Sequence, residues 1–255
     1  MISEMNRKNL DLVRITKTAS LLVLSGLSEN SVPGSIIDRC LREQRSDGGW
    51  VAVVDTIWNT FFLKRLDPLS YKKAIDSALE FLLSQVNTNG LWGRSQRDIS
   101  RIPVTGIMFY LLPELADPQR LSLLDELWHS EKNSLTYKAA YTLMAFRAAR
   151  YSPHRKESIS GTLDWLIENQ RDDGGFAPWK SHPVHSDVFC TSVAVTGLLQ
   201  HKETVPPRVF RKAFQWLLET RLPNGIWPFH EIEDGASWGL YALSQLIEAG
   251  IDPHG

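Results

Sequence analysis

A short segment recurs four times along this chain, as Gln44-Arg-Ser-Asp-Gly-Gly-Trp50, Gln85-Val-Asn-Thr-Asn-Gly-Leu-Trp92, Gln170-Arg-Asp-Asp-Gly-Gly-Phe176 and Arg221-Leu-Pro-Asn-Gly-Ile-Trp227. A polar residue, a glycine turn and an aromatic keep one order, the mark of a repeat architecture in which each unit buries its apolar face against the next. Helical apolar patterns precede the turns over 70–85, 154–170 and 206–221. Ala74, Leu79, Leu82 and Leu83, then Leu163, Leu166 and Ile167, then Phe210, Phe214, Leu217 and Leu218 fall on one face, with charges opposite. That spacing predicts amphipathic helices with one wet side. The segments after the turns, 55–66, 100–112, 134–149, 187–200 and 234–249, carry far fewer charges and predict helices buried on nearly all sides.

This second set aligns without gaps on its first residues, Asp55, Ser100, Ser134, Asp187 and Asp234. Each has a side-chain oxygen that can accept from the free N–H groups of a first helical turn, so each is expected to cap an inner helix. The stretch 9–27, with its apolar run from Ala19, adds an inner helix and 33–45 its outer partner, for about six inner helices and five outer ones. Alternating buried and half-wet helices are most simply arranged as two concentric rings. The expected fold is an all-α toroid of the (α/α)6 type occupying 1–255 as one domain. An open solenoid of the same hairpins is the structural rival. In the closed form the absent sixth outer helix leaves a gap for the N-terminal residues or a second subunit to cover.

Composition narrows the function classes. A net charge of -1, with Lys and Arg spread along the outer helices, leaves no electrostatic footprint for nucleic acid. Two cysteines, Cys40 and Cys190, are too few and too differently placed for a disulfide framework. Lys8, Arg14 and Lys17 precede the first apolar run, but Asp11 interrupts and no small-residue cleavage site follows. A soluble, cytoplasmic protein is expected, with peripheral membrane contact open to it if its ligand is lipid-like.

The Gln-x-x-x-Gly-x-Trp turn resembles the QW repeat of the squalene-hopene and oxidosqualene cyclases and the related class II terpene cyclases, most closely at Gln44 to Trp50 and Gln170 to Phe176. The resemblance implies a double-ringed helical barrel, shared with the protein prenyltransferase beta subunits. It also implies an isoprenoid substrate cyclised after protonation in a central cavity. In those cyclases a segment like Gly174-Gly-Phe-Ala177 is followed by Asp-x-Asp-Asp-Thr-Ala at the start of an inner helix, with the middle Asp as the acid. Here the stretch reads Asp187-Val-Phe-Cys-Thr-Ser192, which matches at Asp187 and Thr191 but has Phe189 at the proton-donating position and Cys190 after it. The oxidosqualene form, Asp-Cys-Thr-Ala, is matched by Phe189-Cys-Thr-Ser192 with the acid again replaced.

Protonating an alkene takes a carboxylic acid held undissociated in a dry pocket, which neither a phenyl ring nor a thiol can replace. The candidate catalytic carboxyls are Asp187, Asp234, Asp55 and Glu233, with Glu231 beside the last. Helix capping is the plainer account of Asp55, Asp187 and Asp234, because Ser stands at the equivalent positions elsewhere. For substrate binding, Trp58, Phe62, Tyr137, Tyr141, Phe189, Cys190, Trp238 and Tyr241, with Phe61, fall on inner helices near their N-terminal ends. Their π faces could stabilise a carbocation, and core packing competes as the account of each taken singly.

The prenyltransferase branch implies a zinc site, an Asp-x-Cys pair with a distant His, that is incomplete here. His182, His185, Asp187, Cys190 and His230 can be drawn as a metal site, but their loop-like spacing matches no zinc motif, so no metal and no cofactor are expected. A diphosphate substrate would add Mg2+ and a basic mouth, for which Arg94, Arg97, Arg101 and Lys180 are at hand. Two alternatives stand beside proton-initiated cyclisation. One is different chemistry on a hydrophobic intermediate, with His185, Cys190 or His230 as acid-base groups. The other is noncatalytic binding of a lipid or a protein partner. A homodimer would supply the cover that one barrel lacks.

Overall fold

Six helices with apolar residues on all sides pack side by side into a closed ring: α2 (Leu12–Leu24), α4 (Val53–Leu66), α6 (Ile102–Leu111), α8 (Thr136–Ala148), α10 (Val188–Leu199) and α12 (Ile232–Glu248). In this computed structural model, which describes residues 1–131 and 135–253, each of them contacts the next, and α12 contacts α2. That last contact makes the fold a toroid and excludes the open solenoid. An outer layer covers the ring, made of α3 (Gly34–Glu43), α5 (Lys72–Ser84), α7 (Pro118–Glu131), α9 (Glu157–Asn169) and α11 (Pro207–Glu219). These helices are amphipathic and bury only the face turned to the ring, as their sequence periodicity requires. A short helix, α1 (Ile2–Arg7), occupies the sixth outer place. It packs on α2 with Ile2 and Met5 buried, so the N-terminal residues fill the expected gap.

The recurring turns share one geometry. Arg45 N–H donates to Gly49 O and Gly48 N–H to Arg45 O, and the same pair of bonds recurs at Asn87 and Leu91, Arg171 and Gly175, and Leu222 and Ile226. The turn glycine sits at a φ of 87°, 79°, 89° and 84° in the four copies, a left-handed conformation that side chains resist. Each aromatic is pinned inward. Trp50, Trp92 and Phe176 donate their backbone N–H to Thr56, Thr105 and Thr191 of the following inner helix at 3.0, 3.1 and 2.9 Å. The indoles of Trp50, Trp92 and Trp227 donate to carbonyls of the preceding outer helix, at Cys40, Leu82 and Leu217. Gln44 and Gln170 tie neighbouring repeats together, each donating to its own turn carbonyl and to one in the next outer helix, Ala74 and Val209. The second copy is shifted by one residue. Val86 takes the place of the glutamine, and Gln85 makes no such bridge.

The helix starts differ from the expected caps in most repeats. Asp187 is the N-cap of α10 and accepts from Cys190 N–H at 2.7 Å. Asp55 and Asp234 lie inside the first turns of α4 and α12, which begin earlier, at Val53 and Ile232, and neither makes a cap bond. Ser100 precedes α6 and exchanges hydrogen bonds with Asn87. Ser134 lies outside the described residues. A free oxygen near a helix start caps only when its own backbone is the half-in residue, which the sequence alignment could not fix. No helix among the described residues is long and apolar enough to cross a membrane.

Candidate functional site

The N-terminal ends of the inner helices surround a pocket of about 300 Å³ to which all six contribute. Trp58 from α4, Tyr137 and Tyr141 from α8, Phe189 from α10 and Trp238 from α12 form an aromatic wall, and Val54, Pro103, Val104 and Ile107 complete it with aliphatic surface. The rings meet in a continuous chain. Phe189 lies 6.0 Å from Trp238 and 6.2 Å from Tyr137, Trp58 lies 6.4 Å from Trp238, and most of these contacts are edge-on or tilted. Such packing leaves ring faces free to line a cavity. The Trp238 indole N–H is buried without an acceptor.

Two charged side chains line this pocket, Asp234 and Lys17. Lys17 Nζ lies 2.6 Å from Asp234 Oδ1, in contact but at an angle that makes no hydrogen bond with it. Next to this pair Arg14 Nε donates to Glu233 Oε1 at 2.5 Å, so two ion pairs close the seam between the first and last inner helices. The Glu233 contact holds the Arg14 guanidinium even more firmly protonated than usual. Burial, reinforced by the Asp234 charge, pushes the Tyr141 phenol well above its ordinary value, so it stays protonated. The floor is closed by Tyr110 and Tyr241, which reach across the ring from α6 and α12 and meet at 2.6 Å between their hydroxyls, with Gln245 donating to Tyr241.

Of the carboxyls proposed from sequence, the pocket gathers Asp234 alone. Glu233 is buried against Arg14 outside the lining, and Asp55 and Asp187 are half-buried at helix starts, where burial raises both carboxyls above their ordinary range. Backbone N–H groups, Cys190 first among them, partly offset that rise at Asp187. Of the proposed binding residues, Trp58, Tyr137, Tyr141, Phe189 and Trp238 line the pocket, and Tyr241 lies one turn deeper, in the floor. Phe62 faces the other way, into the cluster between the rings with Ile15, Ile36 and Trp50. Cys190 is buried, and burial together with the Asp187 charge drives its thiol far above the usual range, which leaves it inert.

The basic residues considered for a diphosphate are absent from the lining. Arg101 pairs with Asp98, and Lys180 donates to the Glu168 carbonyl. His182 packs on Trp179 and His230 on Phe229, and among the described residues no three His, Cys, Asp or Glu side chains converge on a metal-sized site. Lys17 is the site residue that sequence reasoning passed over. Its signal was present: Arg14 and Lys17 are charges on a helix otherwise expected to be buried, and buried charges require partners.

No protein-family model matches the sequence, and no curated protein matches it. Solved structures do. The type II terpene cyclase MstE from Scytonema, in complex with geranylgeranyl dihydroxybenzoate, aligns over 90% of this chain and 86% of its own, with a TM-score of 0.71 and 17% identity. The ent-copalyl diphosphate synthase from Streptomyces platensis aligns over 92% of this chain with a TM-score of 0.69 and 14% identity, and the alignment spans 50% of that enzyme. A family 105 glycoside hydrolase from C. acetobutylicum aligns over 96% of this chain and 97% of its own, with a TM-score of 0.61 and 10% identity. Likeness at these identities is likeness of fold, and the hydrolase shows the double ring serving unrelated chemistry. By these similarities the chain has the double helical ring of the type II terpene cyclases.

Proposed function

We propose that residues 1–255 act as one toroidal unit, a terpene cyclase-like enzyme that folds a linear isoprenoid or prenylated substrate in the mouth pocket and starts its cyclisation with a proton from Asp234. The observation that carries this reading is a single carboxyl in the wall of a pocket otherwise built of aromatic and aliphatic side chains, beside Lys17. Glycoside hydrolysis generally uses two facing carboxylates, and this lining holds one. The aromatic wall suits a carbocation, whose charge the ring faces attract.

Lys17 stands against Asp234 as its counter-ion. An apolar substrate that fills the pocket excludes water and raises the cost of keeping two separate charges, so the proton moves from the ammonium to the carboxylate. The resulting carboxyl donates its proton to an alkene carbon, and the π electrons form the new C–H bond. The cation left behind is captured by a second alkene to close a ring. Loss of a proton from a neighbouring carbon to the Lys17–Asp234 pair restores the enzyme and gives a product of unchanged mass. No metal enters this sequence, and a diphosphate substrate would bring Mg2+ as its own counter-ion.

The test is incubation with farnesyl, geranylgeranyl and longer polyprenyl substrates, free, aryl-linked and as diphosphates, with products read by mass spectrometry. A cyclised isomer that Asp234→Asn abolishes and Asp187→Asn retains supports the assignment; loss with Asp187→Asn alone moves the acid to α10. A second reading, a toroid that binds isoprenoids without converting them, is favoured by Phe189 at the position where the resemblance expects the acid. Tight binding of a polyprenyl chain with no product from any substrate would select it.

A further inference from the structure

A second groove lies on the outside of the molecule, between α7 and α9, about 330 Å³ in volume. Two indoles, Trp128 and Trp165, line it, packed edge to face with centroids 6.0 Å apart. Trp128 is fixed by the bond from its Nε1–H to Thr162 Oγ1 at 2.8 Å. In the same lining stands Asp125, only 6% exposed. Its Oδ2 accepts from Ser158 at 3.1 Å, while its Oδ1 is shut off from bulk water and has no hydrogen-bond partner. A buried carboxylate oxygen without a donor costs free energy that folding alone does not return.

The groove is also open where it need not be. Gly161 stands in the middle of α9 on the lining, and a Cβ added there would meet nothing within 4 Å. Helix-interior glycine costs about 1 kcal/mol relative to alanine, and here neither a close approach nor a left-handed backbone calls for it. Its one structural consequence is a stretch of α9 without a side chain, one turn from Trp165. The remaining charges give the groove a sign: Glu157, Asp164 and Glu168 join Asp125, against Arg155.

We propose that this groove is a binding site for a small organic cation, an alkyl or aryl ammonium, with its charge at Asp125 and its apolar part against Trp165 and the gap left by Gly161. An ammonium supplies the donor that Asp125 lacks, and an indole face attracts the same charge. The site is separate from the mouth pocket, since α7 and α9 contribute nothing to that lining.

The experiment titrates the full chain with benzylammonium, and with benzyl alcohol as its neutral counterpart, by calorimetry and by the indole N–H signals in NMR spectra. Expected is one-to-one binding of the ammonium, about tenfold or more tighter than the alcohol, the scale of one charge-assisted contact. The signals of Trp128 and Trp165 should move and those of Trp58 and Trp238 stay. Asp125→Asn should weaken binding about tenfold, and Gly161→Met, which removes no polar partner and fills only open space, should weaken it at least as much. Gly161→Met keeps the test decisive even if Asp125→Asn folds poorly. The proposal is overturned if benzylammonium does not bind, if the alcohol binds equally well, if Gly161→Met leaves binding intact, or if only the mouth-pocket indoles respond.

Discussion

The inner ring is held in two different ways on its two sides. Across α6, α8 and α10 the helices approach through small residues: a Cβ at Gly106 would lie 2.9 Å from Tyr141 Cβ, and one at Gly197 would lie 2.9 Å from Ala140 Cα. The stability of that wall comes from close packing. At the α12–α2 seam, where the chain's two ends meet, the contact is made by Arg14 with Glu233 and Lys17 with Asp234. The difference teaches where the pocket's charged groups come from. A repeat wall has no place for an unpaired charge, whereas the seam brings together two helices that are not sequence neighbours and can carry complementary charges into the cavity.

The sharpest way to break this contrast is Gly106→Val, which drives a branched side chain into the α8 backbone. It should cost about 3 kcal/mol in denaturant unfolding, and the loss should be indifferent to salt. A loss under about 1 kcal/mol would mean that the wall is less tightly packed than its geometry states. At the seam, Lys17→Met leaves Asp234 without its cation and should cost about 2 kcal/mol, discounted from a fully buried pair because Lys17 keeps some solvent contact. Adding Asp234→Leu should recover most of that loss, since two apolar replacements leave no orphaned charge. A double variant no more stable than Lys17→Met would remove the pair from the account of ring closure.

The Tyr110–Tyr241 bond joins the two sides, and Tyr241→Phe should cost about 1 kcal/mol at neutral pH. Burial raises both phenols above their ordinary value of 10.0. A raised folded value means that this stabilisation is complete below pH 10.0 and is lost as the pH climbs toward the folded values. Alkaline melting curves should therefore fall less steeply above pH 10 in Tyr241→Phe than in the parent chain, and parallel curves would contradict the assignment.

The smallest effect is expected at Asp187→Asn, within about 0.5 kcal/mol at neutral pH, because asparagine caps a helix as well as aspartate does. Burial raises the Asp187 carboxyl, so its contribution is greatest below pH 3.8 and declines as the pH rises through the folded value. Both Asp187→Asn and Asp187→Ala should lose that slope, and Asp187→Ala should in addition cost about 1 kcal/mol at neutral pH for the lost cap.

Much of the architecture was legible because its causes are local. The glycine and aromatic of each turn dictate a left-handed bend and an inward ring, and the charge-poor segments that follow can be stable only when surrounded. The one-residue shift at Gln85 and Val86 is not legible in the sequence, since two spellings of one turn differ only in which residue meets the next outer helix. The aromatic wall was anticipated at Trp58, Tyr137, Tyr141, Phe189 and Trp238 because their places near helix starts put them at one end of the ring. Phe62 was misplaced because a helix buried on all sides gives its periodicity no direction. It packs between the rings, and which face of such a helix looks inward is settled by its neighbours.

The sequence by itself thus determined the helical double ring, its turns and the aromatic end of its cavity, all consequences of backbone preference and repeated apolar burial within units adjacent in the chain. Only the tertiary structure decided that Asp234 enters the pocket while Asp55 and Asp187 stay at its edge, that Lys17 stands beside it, and that α1 fills the outer ring. Those facts depend on closing α12 onto α2, a contact between residues more than two hundred positions apart, as the Arg14–Glu233 bond at a separation of 219 shows. A pattern read along the chain carries no term for such a contact, because the electrostatics of a pair are set by distance in space.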